Sequence, residues 1–239
     1  MLKLDFLLIL ISFPKLKSFL EEEYEDMALY GSCCFICSQW CVGERRRIQL
    51  AKNTRKMDHV ANQFYDEVKL YLTKLSRETL GDKESKRCNE ILSFATNLEH
   101  IGDIISVDMI DSILRKKIVE RAKMSLQDRE DINNLYQPVL ASFNLSLSVF
   151  TSGDIAMARQ LLAKKYKFRK LEKQAVVNHL NKLREDVTYN SRLSALQLDV
   201  LRDLKRINSH LTAVAYPILD AAGQLRSSLR KSKVTETAS

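Results

Sequence analysis

The sequence of 239 residues contains only 6 Gly and 3 Pro, far below the usual combined share of ~12%. So few turn residues exclude a β-sandwich, a β-barrel and an α/β fold built on a Gly-rich phosphate loop. Long apolar runs are missing too. No stretch reaches the ~18 to 20 residues that a membrane-spanning helix requires. The nearest is residues 4–13 (LDFLLILISF), preceded by Lys3 and closed by Pro14. It has the length of a secretory signal core, but no small-x-small cleavage site follows it. It reads as a peripheral or buried apolar start. Catalytic signatures are also absent: there is no GxSxG, Walker loop, HExxH or dinucleotide fingerprint. His59, His100, His179 and His210 fall on separate segments with no evident Ser or Cys partner. The chain is not expected to be an enzyme.

Cysteine is scarce outside one place. Of the 5 cysteines, Cys33, Cys34, Cys37 and Cys41 crowd together and Cys88 stands alone. An odd, clustered set argues for reduced thiols and a cytoplasmic setting. Cys34 and Cys37 form a CxxC, but zinc would need a second pair, and iron–sulfur spacings do not match. With Phe35, Ile36 and Trp40 beside them, these cysteines read as a buried helical face.

What the sequence has in quantity is helix-forming material. Hydrophobic types make up 45% and charged types 28%, which excludes wholesale disorder. Apolar residues recur at threes and fours from Ile48 through Met57, Val60, Phe64, Val68 and Leu72 to Leu75, and Thr79 to Asp82 stops that helix. A second periodic stretch runs from about Lys83 through Ile91, Phe94, Leu98, Ile101 and Ile105 to about Met124. Ser125 caps a third, through Ile132, Leu135, Val139 and Phe143 to Phe150, ending at Thr151 to Asp154. Asp154 caps a fourth, through Leu161, Tyr166, Leu171 and Leu180 to Leu183. After a break at Asp186 to Ser191, a fifth runs from Arg192 through Val200, Leu204 and Leu211 to Ala222. A further helix is expected at about 16–42. Helices of ~30 to 40 residues span ~45 to 60 Å and predict an elongated bundle.

A faint repeat supports this order. Leu72-Thr-Lys-Leu75 echoes Leu180-Asn-Lys-Leu183, and Asn97 to Asp103 echoes Asp203 to Ser209. The near-equal offsets predict a duplicated three-helix unit. The expected fold is all-α, with two tandem three-helix bundles. Residues 1–49 form an atypical N-terminal segment that includes the first helix. Residues 50–125 complete the first bundle, 126–225 form the second, and 226–239 are a basic flexible tail.

The balance of 38 Lys and Arg against 30 Asp and Glu gives a net charge of +8, which favours anionic partners. The basic stretch from Lys164 to Lys170 reads first as a solvated face, then as a contact for an acidic membrane surface or partner. No zinc-finger, helix-turn-helix or RNP pattern accompanies it, so nucleic acid is not expected.

The sharpest constellation is Leu98-Glu-His-Ile-Gly-Asp103. Glu99 and Asp103 are i and i+4, which puts two like charges on one helical face. A cation must offset that repulsion: a metal, a Lys or Arg across the bundle, or solvent. Asp58, Asn62 and Asp66 recur every four residues on the preceding helix and could face them. Asp58, Asp66, Glu99 and Asp103 are the candidate metal ligands, against the alternative of two exposed acidic faces. Oxygen ligands suit Mg, Ca or Mn, and carboxylate-rich bundle sites also hold iron. His100, next to Glu99 in sequence, is expected to point off that face. Gly102 costs its helix ~1 kcal/mol against Ala, and lets a neighbouring helix or ligand approach closely.

At these residues the chain resembles a known family. Asn97 to Ile104 (NLEHIGDI) is similar to the ExxxD signature of PhoU and PhoU-like domains. Arg202 to Leu219 (RDLKRINSHLTAVAYPIL) resembles the PhoU-like cytoplasmic tail of bacterial Na/Pi cotransporter proteins. So do residues 69–77, 85–94 and 147–154, and the resemblance covers about Met57 to Leu225. It implies two three-helix bundles, metal held by acidic motifs, and a regulatory role in phosphate uptake at the inner face of the membrane. The ion would be divalent or trivalent: iron, magnesium, manganese or zinc. The implied partner is a membrane phosphate transporter or sensor, with a homodimer and peripheral membrane contact as further expectations.

The second repeat departs from the pattern. Its equivalents of Glu99 and Asp103 are Lys205 and Ser209, so its site is either lost or filled by the Lys205 charge. Asp199 and Asp203 make a DxxxD six residues earlier, ~120° around the helix. Residues 1–49 carry no transporter spans. The chain therefore reads as the regulatory tail alone, as a free protein or as the remnant of a Na-dependent phosphate cotransporter. The competing expectation is a metal-free helical scaffold for protein contacts.

Overall fold

Few stop residues interrupt the chain, and the helices end where those residues occur. The computed structural model describes residues 58–59, 62–63, 65–77, 80–109, 126–185 and 191–225. The expected helix at 16–42, the cysteine cluster, residues 110–125, residues 186–190 of the break and the 226–239 tail lie outside the described residues. All regular structure among the described residues is helical. Helix α1 covers 58–59, 62–63 and 65–75. It is followed by α2 at Asp82–Asp103, a π-helical turn at Ile104–Met109 and α3 at Leu126–Ser152. Then come α4 at Ile155–Glu185, α5 at Ser191–Thr212 and the short α6 at Ala215–Ala221.

Two starts follow from capping chemistry. At α2 the Gly81 N–H donates to the Glu84 carboxylate at 3.1 Å, satisfying one of the orphan donors at a helix start. Between α3 and α4, Gly153 takes φ 65°, a left-handed conformation open to glycine at little cost. Its N–H closes α3 on the Val149 carbonyl at 2.9 Å. Asp154 Oδ1 then accepts the Met157 N–H at 2.7 Å and opens α4, as its spacing predicts.

Two expectations need correction. The stretch from Lys83 onward is not one α-helix, because it widens into the π turn immediately after Asp103. That turn keeps Ile104, Ile105, Ser106 and Met109 buried together. The stretch from Arg192 to Ala222 is broken at Ala213 and Val214. Pro217 lies four residues after Ala213, and its ring crowds the carbonyl that an unbroken helix would place there.

Helices α3, α4 and α5 pack around Leu135, Phe143, Phe168, Leu201 and Leu204, all buried. The end of α2 and the π turn add Ile101, Ile104, Ile105 and Met109 to the same core. A second cluster joins Val68 and Leu72 of α1 to Ile91, Phe94 and Phe150, with Phe94 and Phe150 stacked at 4.1 Å between centroids. Val149, Ala158, Leu161, Ala215 and Leu219 close the end beside α6. Each large apolar side chain so buried contributes about 1.5–3 kcal/mol. Inside the core, His179 Nε2 and Ser194 Oγ lie 2.7 Å apart and fasten α4 to α5.

Candidate metal centre

The last turn of α2 gathers the candidate ligands. Glu99 and Asp103 share one face, and together with His100 they place one ligand atom each within 4.8 Å of one another. His100 does not point off that face: its Nδ1 lies 2.9 Å from Glu99 Oε2. Adjacent helical residues diverge by ~100°, but the glutamate is long enough to bend back across the gap. The His100 ring also rests against His210 of α5 at 5.3 Å between centroids. His210 Nδ1 is in turn 2.9 Å from Asn97 Oδ1.

Gly102 brings α1 onto this turn. A Cβ added there would stand 3.0 Å from Asp58 Oδ1, tighter than ordinary van der Waals contact. The close approach expected at this glycine is thus made by one of the candidate ligands. The Ser106 hydroxyl faces Asp58 from the π turn without closing a hydrogen bond of ordinary geometry. Asp58 Oδ1 and Asn62 Oδ1 are buried and have no hydrogen-bond partner among the described residues. Asp66 is exposed. Its charge reaches Glu99, but its carboxylate is not one of the three gathered ligand groups.

The electrostatics follow from that crowding. Burial raises the Glu99 pKa above its ordinary value, and the charges of Asp103, Asp58 and Asp66 raise it further against the opposing effect of His100. Burial likewise raises Asp58, helped by Asp103 and countered by Ser106 and His59. His210 is lowered by burial first, then by His100, Arg206 and Lys165. A site that costs free energy when its carboxylates ionise is one that a bound cation relieves. The gathered donor set, two carboxylates and one imidazole from Glu99, Asp103 and His100, fits a metal. Asp58, like Asp66, is outside that group, with its Oδ1 against Gly102. The nitrogen donor favours a first-row transition ion over magnesium.

Helix α5 handles its charges differently. Lys205 pairs with Glu172 of α4 at 2.9 Å. Asp203 is 1% exposed and receives Arg202 Nε at 3.2 Å and Arg206 at 3.3 Å. Arg206 also pairs with Asp108 on the π turn. Side-chain cations hold Glu172 and one oxygen of Asp203, Oδ1, while Asp203 Oδ2 is buried without a partner among the described residues.

Sequence reasoning missed Ser106 and misplaced His100. Ser106 is seven residues after Glu99, two turns along the same face, and that spacing was the available signal. The approach of His210 to His100 had no signal in local spacing.

An all-helical bundle with an acidic cluster on one helix turn is the class that fold and geometry define. Residues 132–218 match the PhoU domain, and the chain carries a domain of that family. The proteins named "Putative inorganic phosphate export protein YjbB" are its curated relatives. The one from Escherichia coli K12 is 34% identical over 169 residues, covering 71% of this chain and 31% of the relative. That from Salmonella typhimurium is 35% identical over 173 residues, covering 72% and 32%. The chain thus spans about a third of the length of these relatives. No solved structure matches it. Among the described residues, no helix is long and apolar enough to cross a membrane.

Proposed function

We propose that this chain is a regulatory, non-catalytic module of phosphate transport, and that a divalent or trivalent metal ion sets its conformation. The family and the names of its relatives support a role in phosphate homeostasis. One observation carries the metal: Glu99, His100 and Asp103 bring one ligand atom each within 4.8 Å of one another, and an Asp58 oxygen buried without a partner among the described residues lies against the neighbouring Gly102. A cation there would tie α1 to the end of α2 and so fix the α1–α2 face. That face would then dock on a membrane phosphate transporter or sensor at the cytoplasmic side, in one arrangement when metal-loaded and a looser one when not. Iron, manganese and zinc suit the mixed donor set better than magnesium.

Metal analysis of the purified chain tests this directly. About one equivalent or more of a transition metal is expected, lost in Glu99→Gln/Asp103→Asn and accompanied by a lower Tm on chelation. Unchanged metal content and unchanged Tm in the double variant would sink the reading. The ion pairs of α5 favour a second one, a metal-free scaffold in which protein cations neutralise every acidic face. It predicts no bound metal and no response to chelator.

A further inference from the structure

The chain's positive charge is concentrated on one helix. Its net charge is +8, and α4 alone carries nine Lys and Arg against Glu172 and Glu185, a balance of +7, so the whole rest of the chain comes to +1. Glu172 is turned inward to Lys205 and does not serve the outer face. Along that outer face, Tyr166, Lys170, Lys173, Val177, Leu180 and Arg184 are all exposed. Their spacing of four and three residues lays them in one straight stripe. Lys167 and Arg169 flank it and are exposed as well. The apolar members are not residues merely grazed by solvent: Tyr166 is 45%, Val177 48% and Leu180 46% exposed.

We infer that this face of α4 lies flat on an anionic lipid surface. A second copy of the chain is a poor occupant. Antiparallel pairing about the centre of the stripe, near residue 175, would set Lys170 and Lys173 against the other copy's Leu180 and Val177, and parallel pairing would set each cation beside its own equivalent, so neither gives a cation an anionic partner. The occupant must be anionic. The Lys170–Lys173 pair separates Tyr166 from Val177 and Leu180, so the apolar side chains form no continuous seam for a partner helix to interlock with. A stripe that mixes cations with exposed apolar side chains suits an interfacial helix. The long cationic side chains reach lipid phosphates while tyrosine, valine and leucine enter the headgroup boundary. The length of α4, 31 residues or ~46 Å, supplies many such points on one line. Each Lys or Arg near an anionic surface adds about 1 kcal/mol of attraction, so a stripe of several is sufficient for reversible attachment. This surface is on a different helix from the acidic cluster, so lipid binding and metal content are read independently and either can fail alone.

Co-sedimentation of the full chain with vesicles tests it. At low ionic strength the chain binds phosphatidylcholine vesicles containing about 30% phosphatidylglycerol, does not bind phosphatidylcholine alone, and is released by salt. Lys170→Gln/Lys173→Gln weakens that binding by about 30-fold, with an unchanged circular dichroism spectrum because both positions are exposed. Tyr166→Ser/Val177→Ser weakens it while keeping its salt dependence. Equal binding by the lysine double variant, or no binding to anionic vesicles at low salt, overturns the inference. Binding to an acidic helical peptide without binding to vesicles also overturns it, and assigns the face to a protein partner.

Discussion

The Asp58 carboxylate packs over the α-carbon of Gly102, so close that a Cβ on residue 102 would come within 3.0 Å of Asp58 Oδ1. Glycine interrupts an otherwise strong helix there because the Asp58 side chain from α1 occupies the space. Gly102→Ala sets two effects against each other. The helix gains about 1 kcal/mol of propensity, and the Asp58 carboxylate must move by several tenths of an ångström. The expected result is a Tm change equivalent to less than about 1 kcal/mol, together with at least a tenfold loss of metal affinity by titration. An unchanged affinity would show that Asp58 is not a ligand.

The raised pKa values of Glu99 and Asp58 fix the sign of a pH effect. In the folded chain these carboxyls hold their protons to higher pH than in the unfolded chain. The stability they contribute is complete below about pH 4 and is lost as pH rises through their folded values. Without metal, Glu99→Gln should therefore raise the Tm at pH 7, and the difference from the parent chain should vanish near pH 4. Thermal melts in chelator across that range decide the matter. A Glu99→Gln chain less stable at pH 7 than the parent would contradict the arrangement.

Arg206 bridges the π turn and α5 by pairing with Asp108 and with the buried Asp203. Removing it leaves Asp203 with Arg202 alone. Arg206→Ala should cost about 1–3 kcal/mol, because a buried carboxylate loses part of its hydrogen bonding. Asp108 is 40% exposed, so Asp108→Ala should cost less than about 1 kcal/mol. Denaturant unfolding of the two variants gives the order. The reverse order would place the weight of the network on the π turn.

Tyr136 is buried in the core at 6% exposure, and its hydroxyl has no partner among the described residues. Burial pushes its pKa up to about 12. Tyr136→Phe should stabilise the chain by about 1 kcal/mol at pH 7, since an unsatisfied polar group is removed at almost constant volume. In alkali the sign is also set. The raised pKa gives stability that is present below about pH 10 and is lost as pH approaches 12, so the phenylalanine variant should unfold at higher pH. Circular dichroism against pH measures this.

Helix existence was legible because apolar residues recur at threes and fours over long stretches, and Gly153 with Asp154 marks the α3–α4 boundary through chemistry that acts within a few residues. The Glu99–Asp103 pair was legible for the same reason, since both residues sit on one turn of one helix. The π turn after Asp103 was not. Its widening adds one residue to a turn without changing which residues are apolar, and the choice rests on how Ile104, Ile105 and Met109 fit a core made by other helices. The break before Pro217 was written in the sequence and was obscured by the strong periodicity on either side.

The sequence by itself determined an all-helical chain, its principal boundaries, the acidic turn and a surplus of positive charge. These depend on residue type and spacing along one helix. Tertiary structure alone decided that Asp58 meets Gly102, that His210 backs His100, that Arg202 and Arg206 hold Asp203, and that Lys167, Arg169, Lys170, Lys173 and Arg184 of α4 face outward. Each joins residues from separate segments or depends on which face of a helix is buried. Such choices are made by packing, where helix rotation of a few tens of degrees exchanges one set of neighbours for another.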